Sequence, residues 1–151
     1  MTHFEPQSCH CTSLRRAARS TTRFYDEILE PSGLSISQFA LMTVASDHPE
    51  TSSGSLGRML GLDKSTFGRS LSPLLKAKLI QIHQSERDRR VRTVQITQAA
   101  TLALAKADAL WSEAERSFVS LVGQVQADRS RAVSSHVVER MTVDRIARNS
   151  P

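Results

Sequence analysis

The chain has 151 residues, 39% hydrophobic and 23% charged, with a formal net charge of +5. That length holds one sizeable core but not two independent ones. No run approaches the roughly 20 apolar residues a membrane span requires, and MTHFEPQSCHC lacks the charged-then-apolar layout of a signal peptide, so a cytoplasmic location and no membrane partner are expected. A pI near 9.9 calls for a polyanionic partner, and the surplus is concentrated. Residues 52–100 carry nine Lys/Arg against three Asp/Glu, the segment before them four against six, and the segment after them seven against six.

Taken in order, residues 1–11 show no periodicity and are expected to form a flexible arm carrying His3, Pro6, Cys9, His10 and Cys11. Leu14, Ala17, Ala18, Thr21, Phe24, Tyr25 and Ile28 then recur at helical spacing, with Arg15, Arg16, Arg19 and Arg23 opposite. Thr12 or Ser13 caps that helix in this reading, and Pro31 with Gly33 ends it. Ser35 or Ser37 caps a short buried helix containing Phe39, Leu41, Met42, Val44 and Ala45, closed at His48–Pro49. A third short helix presents Leu56, Met59 and Leu60 as its apolar face and stops at Gly61.

Asp63 caps the next helix, over 64–78, which buries Phe67, Leu71, Leu74 and Leu75 and exposes Lys64, Ser65, Thr66, Arg69 and Ser72. Pro73 removes a hydrogen bond inside it, so a kink or tightened turn is expected there. LIQIHQ and VRTVQIT read as two strands joined by the loop SERDRR. Helical spacing returns at Leu104, Ala107, Trp111, Ala114, Phe118, Leu121 and Val122. After a break at Gly123 it continues at Val133, Val137, Met141 and Ile146. Such stripes usually mean core, but two long helices carry more apolar surface than a small helix-turn-helix needs. The expected fold is therefore mostly α with a small β-hairpin wing: a winged helix-turn-helix over 35–97 plus a helical dimerisation layer over 12–34 and 98–148. Residues 12–151 are read as one domain.

With these elements in this order, the sequence resembles the MarR family of bacterial transcriptional regulators over about residues 11–148. The resemblance is carried by LRRAARSTTRFYDEILEPSGLSISQFALM, by SLGRMLGLDKSTFGRSLSPLLKAKLI, and most specifically by ERDRRVRTVQIT with its D-x-R motif Asp88-Arg89-Arg90. It implies a homodimer binding a pseudo-palindromic operator in double-stranded DNA, most commonly as a repressor. On that reading Ser65, Thr66 and Arg69 face base edges, where an arginine fork suits guanine. Lys64 and the helix N-terminus face phosphates. Arg90 enters the minor groove with Asp88 orienting it, and Arg89 and Arg92 meet the backbone.

Two inputs are candidates for the signal. A thiolate at a helix N-terminus is stabilised by the helix dipole, and His10 and Arg15 add positive charge, so Cys11 is placed to be reactive. Aligned on Phe24-Tyr25, Cys11 falls where the hydroperoxide-sensing branch of the family carries its cysteine, and Tyr25 on a tyrosine that bonds to it. The cluster Cys9-His10-Cys11 leaves three readings open: inert thiols, a redox sensor, or soft metal ligands with His3. The second input is a small aromatic effector in a crevice near Arg16, Arg19, Arg23, Phe24, Phe39 and Met42. No cofactor and no defined metal site are assigned. There is no phosphate loop, H-E-x-x-H or G-x-S-x-G, so an enzyme is not expected. The rivals are a membrane-surface binder and a winged helix used for protein contacts alone. The surplus charge on the fourth helix and wing argues against the first.

Overall fold

The computed structural model describes residues 5, 6, 8–85 and 88–149; His3, a candidate metal ligand, lies outside them. The elements are α1 (His10–Leu29), a 3-10 turn (Glu30–Ser32), α2 (Ile36–Asp47), α3 (Ser53–Met59), α4 (Lys64–Lys76), β1 (Ile80–Gln84), β2 (Arg92–Ile96), α5 (Gln98–Val122) and α6 (Gln124–Asn149). Six helices and one hairpin in this order make a mostly helical α+β fold with a winged helix-turn-helix. The chain divides into two compact units, one up to Ala114 and one from Glu115.

In the first unit, Leu29, Met42, Leu56, Leu74, Ile80 and Val94 are almost wholly buried. One comes from each of α1, α2, α3, α4, β1 and β2, so this core is the point where all six elements meet. Phe39 stacks on Trp111, with ring centroids 6.1 Å apart, and joins α2 to α5.

Local chemistry sets the element ends. Ser35 caps α2 in a full capping box: its hydroxyl accepts from the Gln38 amide while the Gln38 side chain accepts from the Ser35 amide. Asp26 on α1 accepts from the Ile36 amide at 2.7 Å, which ties α1 to the start of α2. Gly33 ends the first helical stretch at φ 76°, and Lys106 bonds the Pro31 carbonyl beside it. Thr97 closes the hairpin onto α5, because its amide donates to the Leu79 carbonyl and its hydroxyl accepts from the Ala100 amide.

Several boundaries differ from the sequence expectations. The first helix starts at His10 with Cys9 at its N-cap, two residues before Thr12. Of its expected apolar stripe Tyr25 is buried and Leu14 is 44% exposed, while Leu29, outside that stripe, is fully buried. Met59 and Leu75, expected on buried faces, are exposed, because α3 and α4 meet the core through Leu56, Phe67, Leu71 and Leu74. The fourth helix ends at Lys76 rather than Lys78. There Lys78 takes φ 55° while Leu79 bonds back to the Leu74 carbonyl, a C-terminal cap reached without glycine. Pro73 sits inside the helix without interrupting it. In the second unit α5 ends before Gly123, at φ 87°, and α6 follows.

The contact that seats α4 is at Gly57, a buried residue of α3. A Cβ there would lie 3.2 Å from Phe67 Cγ and 3.3 Å from Phe67 Cβ, so the absence of a side chain lets the two helices close on each other. Gly57→Leu should overpack this junction by about 1–3 kcal/mol. A melt followed by circular dichroism should show a midpoint lowered by several degrees, and an unchanged midpoint would contradict the close approach.

Candidate nucleic-acid interface

The helix-turn-helix is built by α3, the turn Leu60–Asp63 and α4. Gly61 adopts φ 66°, and the Leu62 amide returns to the Gly57 carbonyl at 2.8 Å, which reverses the chain within a few residues. Asp63 then caps α4. One carboxylate oxygen accepts from the Thr66 amide at 2.9 Å and the other from the Thr66 hydroxyl at 2.7 Å. These bonds, the amide first, hold the Asp63 carboxyl below its ordinary value. Because Phe67, Leu71 and Leu74 are buried, the opposite face of α4 is turned outward. Lys64, Ser65, Arg69 and Ser72 are exposed and Thr66 is half-buried.

The hairpin pairs β1 with β2 antiparallel, in the register Ile80↔Ile96, Ile82↔Val94 and Gln84↔Arg92. Its far end is closed by the Ser85 amide on the Val91 carbonyl and the Val91 amide on the Asp88 carbonyl, both 2.9 Å. Asp88 also accepts from the Arg90 backbone amide at 2.9 Å. Its carboxylate thus shapes the turn through main chain, not by holding the Arg90 guanidinium. Arg89, Arg90 and Arg92 are exposed. The ion pairs Arg131–Asp128 and Arg148–Asp144 lie on α6 and involve none of these three arginines.

Sequence reasoning missed what fixes the wing to the helix-turn-helix. Ser52, the N-cap of α3, forms a β-bridge with Thr93, and the Ser53 hydroxyl donates to the Arg92 carbonyl at 2.9 Å. Thr93 is buried and β2 is held on both edges, by β1 and by Ser52. The signal was present as a run of serines ahead of Leu56, but pairing across 39 residues is invisible to local patterning.

The candidate sensor residues separate. Cys9 occupies the N-cap of α1 and is half-buried, whereas Cys11 is exposed. The Thr12 amide, followed by the Thr12 hydroxyl, holds the Cys9 thiol below its ordinary value without forming a full capping bond. Tyr25 is buried fourteen residues beyond Cys11 on the same helix, roughly 21 Å along its axis. One chain therefore does not bring the two together. Among the described residues no cluster of His, Cys, Asp and Glu fits a metal ion.

The candidate effector residues also come apart. Met42 and Phe39 belong to the core, and Arg16 is exposed on α1. Arg19 and Arg23 line an open concavity of about 740 Å³ that also presents Asp26, Glu27 and Glu30. Three carboxylates beside two arginines do not favour an anionic ligand.

This arrangement, an exposed polar helix beside an arginine-tipped hairpin, defines the winged helix-turn-helix class of proteins. Residues 34–91, from the start of α2 to the end of the hairpin turn, match the model of the MarR family. The transcriptional regulator MosR of M. tuberculosis, in complex with DNA, is 27% identical, covers 89% of this chain and 98% of its own, and superposes with a TM-score of 0.75. CouR from Rhodococcus jostii RHA1, bound to p-coumaroyl-CoA, is 16% identical over 90% of this chain and 96% of its own, with a TM-score of 0.70. The PcaV regulator of Streptomyces coelicolor, in complex with its natural ligand, is 15% identical over 94% and 97%, with a TM-score of 0.73. The last two share the fold. No curated protein matches the chain by sequence.

The Cys9 environment can be measured directly. In Cys11→Ser, where Cys9 is the remaining thiol, the rate of iodoacetamide alkylation should reach half its maximum at a lower pH than in an unstructured peptide of the same local sequence. Thr12→Val should move that midpoint upward, since a hydroxyl that favours the thiolate is lost. A midpoint equal to that of the peptide in both proteins would contradict the contact.

Proposed function

We propose that the chain is a sequence-specific DNA-binding transcriptional regulator, a repressor that binds a pseudo-palindromic operator as a homodimer and leaves it on a signal. The observation that carries this reading is the exposed basic surface formed by the outward face of α4 and the arginines of the hairpin turn. The likeness to a regulator in complex with DNA at 27% identity supports it. In this reading α4 enters the major groove, with Ser65, Thr66 and Arg69 toward base edges, and Lys64 with the first backbone amides of α4 toward phosphates. Arg90 enters the minor groove, on a turn shaped by Asp88, and Arg89 and Arg92 meet the backbone.

The dimer follows from apolar surface that a single chain leaves in water. On α6, Val133, Val138, Met141, Val143 and Ile146 are each more than half exposed, as is Leu121 on α5. A second copy that covers them through a two-fold axis brings two α4 helices to half-sites about one DNA turn apart.

For the signal, the proposed input is oxidation of Cys9, which stands at the N-cap of α1. A hydroperoxide loses its terminal oxygen to the Cys9 thiolate and leaves as the alcohol, giving a sulfenic acid. A second thiol displaces water from it to form a disulfide. If that thiol is Cys11 of the same chain, the bond joins the N-cap to the second helical residue, and the first turn of α1 has to deform to allow it.

Binding to duplexes from the region upstream of the protein's own gene should fall linearly in log affinity with log salt, with two chains per duplex by sedimentation. Arg90→Ala should weaken it by roughly 1–3 kcal/mol. Salt-independent binding, one chain per duplex or an unaffected variant would each remove a part of this reading. Cumene hydroperoxide should release DNA from the wild type and not from Cys9→Ser; equal release from both would eliminate the thiol as the signal.

A further inference from the structure

Asp63, Thr66 and Arg69 follow one another at intervals of three and so form one stripe along the exposed side of α4. They are joined by hydrogen bonds whose directions follow from chemistry alone. An ionised carboxylate only accepts and a guanidinium only donates. The Thr66 hydroxyl therefore gives its single proton to Asp63, at 2.7 Å, and accepts from Arg69 Nη2, at 3.2 Å. The Thr66 amide separately satisfies the other carboxylate oxygen at 2.9 Å. The carboxyl of Asp63 is held below its ordinary value, with the Thr66 amide the first cause and the positive charge of Arg69 among the others, so the relay is intact at neutral pH.

We infer that Asp63 is a positioning residue for base recognition: through Thr66 it aims the Arg69 guanidinium, so that Arg69 reads guanine while Thr66 acts on Arg69 and reads no base itself. This rests on the DNA-binding reading and changes the part of Thr66 within it, from a base contact to support of Arg69. Thr66 has spent its proton, which leaves it poorly suited to a base acceptor. Arg69 gives one N–H to Thr66 and keeps enough donors for the paired contact with guanine O6 and N7. A long side chain restrained before DNA arrives loses less freedom on binding. The arrangement also resolves a charge problem, since a bare carboxylate at the leading end of a groove-bound helix repels phosphates. Here the carboxylate is occupied by two donors and lies near a cation.

The test begins with operators selected by the wild-type protein from randomised duplexes. Each guanine of a half-site is then replaced by 7-deazaguanine, which lacks the N7 acceptor, and affinity is read by fluorescence anisotropy. Wild type should lose about tenfold or more at one guanine in each half-site, the discrimination expected of a bidentate contact. Arg69→Ala should bind the parent duplex more weakly and show no such loss. Thr66→Val keeps the capping amide but removes the hydroxyl, and should discriminate by less than about twofold; Thr66→Ser should restore the discrimination. Asp63→Ser retains an N-cap acceptor without the second carboxylate oxygen and should behave like Thr66→Val. Melting midpoints of the threonine variants should match that of the wild type, which separates aiming of Arg69 from a general loss of structure. Full discrimination in Thr66→Val and Asp63→Ser, with a normal wild type, overturns this inference alone. A wild type that selects no preferred sequence overturns the DNA-binding reading and this inference with it.

Discussion

The closure of α3 onto α4 at Gly57 and Phe67 is the constraint on which the rest of the first unit depends. It determines that Phe67, Leu71 and Leu74 face inward and so turns Lys64, Ser65, Arg69 and Ser72 outward. The turn that permits it needs a left-handed residue, supplied by Gly61, and a cap for the next helix, supplied by Asp63. Packing and surface chemistry are thus two consequences of one junction. A side chain at position 57 would push against both.

The wing is referred to the same junction. Ser52 caps α3 and also bridges to Thr93, and Ser53 holds the Arg92 carbonyl. The residues that start α3 therefore also hold the strand behind the arginine turn. An isolated two-stranded hairpin is marginal in water. This one is supported at Ile80 and Val94 by the core and along β2 by Ser52. That support lets three exposed arginines project, a concentration of positive charge that polar loops usually avoid.

The elements themselves were legible because their signals are local. Capping at Ser35 and Asp63, the stops at Gly33, Gly61 and Gly123, and the two strands all follow from spacing and backbone preference within a few residues. The buried faces were less legible. Leu14, Met59 and Leu75 fit a helical apolar stripe yet stand exposed, because periodicity says which residues share a face and not which face finds a partner within the chain. Moving the helix start from Thr12 to His10 altered the sensor question. Cys9 became the capping residue under the influence of Thr12, and Cys11 an exposed residue of the first turn.

By itself, then, the sequence determined the order and type of the elements, the concentration of positive charge between residues 52 and 100, and the outward set Lys64, Ser65 and Arg69. Each depends on local backbone chemistry or simple composition. Only the tertiary structure decided between core and pocket lining for Phe39 and Met42, and showed that Tyr25 lies far along α1 from Cys11 and that Ser52 and Ser53 carry the wing. Those are contacts between residues distant in the chain, or distances set by a helix axis. The relay from Asp63 to Arg69 lies between the two. Its spacing is written in the sequence, but its direction needed the hydroxyl of Thr66 to be seen between a carboxylate and a guanidinium.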